Sequence, residues 1–203
     1  MMPIMPRHAY ALLTLAAACA FTAGAHAQPP AGARTAAAAR TAAAAAAGCL
    51  PAYNGYLRAH LRDASKLDIN WHDPGMQCDG DVSPGAHAIR LTFVGRVQPG
   101  HHRVRFVFGI DAPPGAGVTH NVPAGVTVIF EGERRLYSTR GTDKCTVDDL
   151  SQQPIGAAAA HLLRVSARGF CIGAATRVGG SGDALLLTTF DFAGRIYNPP
   201  SGR

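Results

Sequence analysis

Ile89-Arg90-Leu91-Thr92-Phe93-Val94-Gly95-Arg96 and, beyond Pro99-Gly100, Arg103-Val104-Arg105-Phe106-Val107-Phe108-Gly109-Ile110 decide how this chain is read. In the first stretch Ile89, Leu91 and Phe93 alternate with Arg90, Thr92 and Val94. In the second, Val104, Phe106, Phe108 and Ile110 fall on one side. A period of two is the signature of a strand with one buried face. A short Pro-Gly connection between two such runs predicts a β-hairpin.

Working outward, Asp111-Ala112-Pro113-Pro114-Gly115 ends the second run. Further strand candidates lie at Val118–Val122, Val126–Glu131, Arg134–Thr139, Leu162–Cys171 and Ala184–Tyr197. The pattern predicts an all-β fold, an antiparallel β-sandwich or barrel of about six to eight strands. One short N-terminal helix is expected between Asn54 and Lys66, where Tyr56, Leu57, His60 and Leu61 recur at helical spacing. After it, Trp71, Asp73-Pro74-Gly75 and Asp79-Gly80-Asp81 read as turns. Asp148-Asp149-Leu150 reads as the start of a helical turn, with acids near its N-terminus. Gly179-Gly180-Ser181-Gly182-Asp183 reads as a loop lacking the lysine of a phosphate-binding P-loop.

Phe93-Val94-Gly95-Arg96-Val97 is echoed by Phe192-Ala193-Gly194-Arg195-Ile196. Each glycine marks a bulge or a close backbone approach, with its arginine directed outward. Arg96 and Arg195 are then either a paired anion-binding feature or two ordinary strand ends. Five residues are too few to establish a duplication.

The front of the chain sets the compartment. Arg7 precedes an apolar run from Ala9 to about Gly24, and Ala25-His26-Ala27 offers a small-residue cleavage site. Residues 1–27 are therefore read as a signal peptide, and the run is too short for a confident membrane span. Residues 28–48 form an Ala-rich linker, expected to be disordered or transiently helical. Residues 49–203 are expected to form a single disulfide-stabilised β-rich domain. A second reading of the leader comes from Leu15-Ala16-Ala17-Ala18-Cys19, which resembles a bacterial lipobox except that Ala16 stands where leucine is usual. That reading makes Cys19 a lipidation site and the mature N-terminus.

Cleavage after Ala27 removes Cys19 and leaves Cys49, Cys78, Cys145 and Cys171. Even parity in an exported chain predicts two disulfides. Sequence leaves the three possible pairings open, although neighbour pairing closes two loops of similar length. No pair has the C-x-x-C spacing of a zinc site. The expected compartment is periplasmic or secreted.

The formal net charge is +6. Signal and linker carry Arg7, Arg34 and Arg40, so from Cys49 onward 16 basic residues face 13 acidic ones. With only the short basic runs His101-His102-Arg103 and Arg134-Arg135, nucleic acid is excluded as a partner. The partners expected are a protein, a glycan or an envelope component, with a membrane involved only through lipid at Cys19.

Candidate chemistry is sparse. His60, His72, His87, His101, His102, His120 and His161 remain after signal removal, with His101-His102 the one adjacent pair and Trp71-His72-Asp73 a carboxylate beside an imidazole. Asp79-Gly80-Asp81 lacks the rest of an EF-hand loop and is read as a turn. Gly169-Phe170-Cys171-Ile172-Gly173 has the outline of a nucleophile elbow, but with strand-like flanks. Ser138 and Ser166 have no local base, and Glu131 and Glu133 flank Gly132 at an expected turn. No catalytic residue, metal ligand or cofactor is assigned. Phe93, Phe106, Phe108, Phe130, Phe190 and Phe192 are read as core, and Tyr53, Tyr56 and Trp71 as residues outside the sheet. The reading favours a non-catalytic binding or envelope-associated β-domain. The alternatives are an exported hydrolase with a spatially assembled site and a structural lipoprotein anchored at Cys19.

Overall fold

The computed structural model describes residues 48–62, 66–83, 88–97, 102–115, 117–157, 161–180 and 182–199. The signal segment, the linker up to Ala47 and Cys19 lie outside the described residues, as do His87 and His101. Eleven strands form: β1 (Tyr56–Arg62), β2 (Asp68–His72), β3 (Gln77–Val82), β4 (Ile89–Arg96), β5 (Arg103–Ile110), β6 (Gly117–Phe130), β7 (Arg135–Ser138), β8 (Cys145–Pro154), β9 (Leu162–Cys171), β10 (Ala175–Arg177) and β11 (Ala184–Tyr197). Pairing runs β10-β7-β6-β5-β4-β3-β11-β1-β2, while β8 joins β6 to β9 and β9 joins β11. The path β6-β5-β4-β3-β11-β9-β8 therefore returns to β6, and the all-β antiparallel sheet is a partly closed ring. Its single parallel contact is Tyr197 of β11 beside Asp81 of β3.

The predicted hairpin is present, with Ile89 opposite Ile110 and Arg96 opposite Arg103. Two 14-residue strands close the ring. The first half of β6 pairs with β8 and its second half with β5 and β7, so Val118–Val122 and Val126–Glu131 are one strand running through Pro123 and ending at Phe130. β11 is shared among β1, β9, β10 and β3.

Several expectations are corrected. The strand count is eleven rather than six to eight, and no helix occurs among the described residues. The segment expected to be helical is β1, because Leu57, Ala59 and Leu61 are buried while Arg58, His60 and Arg62 face out. Ala59 satisfies a strand's inner face as well as it satisfies a helix, so the two periods were degenerate there. Asp148-Asp149-Leu150 lies within β8, where Val147 and Leu150 are buried on either side of a register shift. The supposed turn region contains β2 and β3, and Tyr56 and Trp71 belong to the sheet.

Five phenylalanines are fully buried: Phe93, Phe106, Phe108, Phe190 and Phe192. Phe108 meets Phe192 at 4.7 Å and Phe190 at 5.1 Å between ring centroids, and Phe93 meets Phe192 at 5.1 Å. The rings of β4 and β5 thus pack against those of β11, each contributing roughly 1.5–3 kcal/mol through burial. The sequence echo is explained here. A Cβ on Gly95 would lie 2.5 Å from the Trp71 indole, and one on Gly194 2.9 Å from Phe93. Both glycines are close approaches between backbone and an aromatic ring. Trp71 is fixed by its Nε1–H, which donates to the Arg96 carbonyl at 2.8 Å.

Cys49 pairs with Cys78 and Cys145 with Cys171. The second pair links directly opposed residues of β8 and β9. The first ties the segment before β1 to β3, and the Asp73 carboxylate reinforces it by accepting the amides of Cys49 (2.5 Å), Leu50 (3.1 Å) and Gly55 (2.9 Å). Two such bonds belong to an oxidising, extracytoplasmic environment.

Candidate functional site: a groove floored by Gly109

The outer face of β4 to β7 is set by cross-strand register. One row runs Thr92, Val107, Thr127, Ser138 across the four strands, and the next runs Arg90, Gly109, Gly125. The second row has two facing positions without side chains. They differ in what lies above them. A Cβ on Gly125 would lie 2.3 Å from the Gly141 carbonyl, because the turn after β7 folds over that position. Thr139 holds the turn, its hydroxyl donating to the Gly141 carbonyl at 2.9 Å and accepting the Val126 amide at 3.1 Å. Above Gly109 no atom of the described residues lies within 4 Å.

Gly109 thus floors an open groove of about 380 Å³, walled by Ser83 and Arg90 on one side and by Thr139, Gly141 and Thr142 on the other. Its described lining supplies hydroxyls, small apolar surface and one guanidinium. Thr127 donates to the Ser138 hydroxyl at 3.2 Å, and the Arg140 amide donates to the same oxygen at 3.2 Å. Ser138 keeps its own hydrogen to donate outward. Arg90 also borders a smaller depression of about 240 Å³ shared with Asp79, Asp81 and Thr92. The groove can hold a polar ligand by hydrogen bonds.

The remaining strands present a second polar surface. Asn70, Arg58, Asp191, Arg168, Asp149 and His120 stand in one row across β2, β1, β11, β9, β8 and β6. Arg58 pairs with Asp191 at 3.5 Å, Arg168 pairs with Asp149, and His120 meets Asp149 at 2.9 Å. Hydrogen bonds from His120 and then Arg168 hold the Asp149 carboxyl below the usual carboxylate range. Partial burial, followed by its hydrogen bond to Asp191 at 2.8 Å, pushes the Tyr56 phenol above its ordinary value.

The residues singled out by sequence are mostly dispersed. His60 pairs with Asp68 at 2.8 Å, and His72 with Asn70 at 2.9 Å. His72 faces away from Asp73, whose carboxylate is occupied by backbone amides. Among the described residues no three His, Cys, Asp or Glu side chains gather closely enough to hold a metal ion. Cys171 is a disulfide half, which removes the nucleophile-elbow reading. Glu131 is engaged by Arg103 and Arg105 and Glu133 by Arg135, so each acid has its own cationic partner. Arg96 faces Arg103 and Arg195 faces Arg164, in separate cross-strand pairs. Of the serines, Ser138 lines the groove and Ser166 lies on β9. Gly109 was not singled out by sequence; its one signal was a glycine inside an otherwise β-branched and aromatic run. Comparison with family models, with curated proteins and with solved structures finds no match.

Proposed function

We propose that this chain is an exported, non-catalytic binding domain, with residues 1–27 as signal, 28–48 as tether and 49–203 as a disulfide-stapled, sandwich-like barrel. Its ligand is a hydroxyl-rich envelope component, a glycan segment, held in the groove over Gly109. The observation that carries this reading is the open space above that glycine. A strand glycine weakens a sheet unless a neighbour needs the room, and at Gly109 no atom of the described residues takes it. A groove of about 380 Å³ has the size of a small-ligand cleft. Hydroxyls and a guanidinium favour retention of a polar ligand over bond cleavage.

Gly109→Leu places a side chain on the groove floor while leaving the inner face of β5 untouched. The test applies wild type and Gly109→Leu to a glycan array and to an immobilised native envelope fraction. The expected result is glycan capture by wild type, weakened at least tenfold in the variant, with no shortened product. Undiminished capture by Gly109→Leu overturns the groove as the site. Release of shortened glycan supports the hydrolase reading instead.

A further inference from the structure

The outer face of β9 and β11 carries a charge arrangement that the groove does not use. Arg195 stands directly opposite Arg164, with both side chains outward and half-buried. Opposed residues have Cβ atoms about 4.5–5.5 Å apart, and like charges there repel. Arg164 donates to Asn54 Oδ1 at 2.8 Å and to Ser166 Oγ at 3.3 Å, both neutral groups. Among the described residues Arg195 forms no side-chain hydrogen bond or ion pair. Two of the neighbouring acids are engaged elsewhere. Asp191 is held by Tyr56 and Arg58 and Asp149 by Arg168 and His120, whereas on β3 Asp79 accepts only the adjacent Gly80 amide at 2.9 Å and Asp81, beside Tyr197, forms no side-chain hydrogen bond or ion pair among the described residues. Next to Arg195 on the same face lies Ala193, fully buried and flanked in register by Tyr56 and Ser166. Ser166 accepts from Arg164 and retains a hydrogen to donate.

We propose that Arg164 and Arg195, with Ser166, clamp a phosphate group. A phosphomonoester carries nearly two negative charges near neutral pH and three acceptor oxygens. It therefore balances two guanidinium charges, where a carboxylate leaves one uncompensated. Guanidinium forks also match phosphate oxygens in pairs. The phosphate is either the headgroup of an envelope lipid or a free ion. This clamp lies on different strands from the groove, and its failure leaves the groove reading intact.

The test uses the full mature chain with two probes: inorganic phosphate by titration calorimetry, and sedimentation with phosphatidylcholine vesicles with and without phosphatidate. Wild type is expected to bind phosphate, phosphatidate vesicles or both, in a salt-dependent way. Binding of vesicles alone assigns the lipid headgroup, and binding of free phosphate as well assigns the ion itself. Arg164→Gln combined with Arg195→Gln is expected to weaken either binding at least tenfold, whereas Arg62→Gln, at the far end of β1, leaves it unchanged. Phosphate should raise the denaturation midpoint of wild type and not of the double variant. Arg195→Gln alone, in phosphate-free buffer, should leave that midpoint unchanged or higher, because it removes a repulsion. No binding of either probe, or binding undiminished in the double variant, overturns the proposal.

Discussion

Replacing Gly109 with valine should make the protein more stable while closing its groove. A Cβ at this position meets nothing among the described residues within 4 Å, so the added side chain incurs no collision with them. Filling a strand glycine recovers roughly 0.5–1 kcal/mol of backbone entropy, and a β-branched residue suits the pleated outer face. The expected gain is about 1 kcal/mol, which for a domain of this size raises the melting temperature by roughly 2–4 °C. Gly169 supplies the opposite sign on the same sheet. Its Cβ would lie 2.1 Å from the Thr146 carbonyl and 2.7 Å from the Phe190 ring, with backbone on one side and core on the other. Gly169→Ala should therefore cost on the order of 1–3 kcal/mol through overpacking. Urea denaturation of both variants with disulfides intact measures each change from the midpoint at constant slope. If Gly109→Val loses as much stability as Gly169→Ala, the space above Gly109 is not open and the groove does not exist as described.

Three further outcomes follow from the described contacts. Asp73→Ala strips three backbone amides of their acceptor. It should cost on the order of 3 kcal/mol, with proton exchange at the Cys49, Leu50 and Gly55 amides accelerating first. Non-reducing peptide mapping should recover Cys49–Cys78 and Cys145–Cys171 with no free thiol among the four; reducing either should cost roughly 3 kcal/mol, and any other pairing contradicts the ring. Asp149 is held below the ordinary carboxylate range by His120 and Arg168. Its contribution to stability is present above the unfolded value and is lost as pH falls through the lowered folded one. A carboxyl-carbon NMR titration should show Asp149 protonating late, and His120→Gln with Arg168→Gln should return it toward the ordinary range.

How much of this was legible in the chain depends on where alternation was unambiguous. Ile89–Arg96 and Arg103–Ile110 carry large apolar residues at most inner positions and fold as the period of two requires, while Ala184–Tyr197 does so on either side of a bulge between Leu187 and Phe190 that shifts its inner face by one residue. At β1 an inner-facing alanine blurred the period, and at β8 a register shift between Val147 and Asp149 broke it. β2 and β3 were hidden because Asp-Pro-Gly and Asp-Gly-Asp are turn compositions. Gly80 is nonetheless a strand residue, kept small by the Arg195 carbonyl and Ile196 side chain that a Cβ would approach to 2.7 Å. The candidate site was barely legible. Openness above Gly109 is a property of four strands in register, and the Arg164–Arg195 opposition exists only once β9 lies against β11. Both depend on pairings between residues distant in sequence, which local pattern does not encode.

The shared strand β11 also governs when the molecule can exist. β1 finds in β11 its main partner, and the Arg58–Asp191 contact between them spans 133 positions. At about 5–20 residues per second, that partner is synthesised on the order of ten seconds after β1. Until then β1, β3, β9 and β10 each lack a neighbour that only β11 supplies. A chain wired in this way postpones its own closure until β11 has been synthesised. Under the export proposed above, that delay would leave the chain extended while it crosses a membrane.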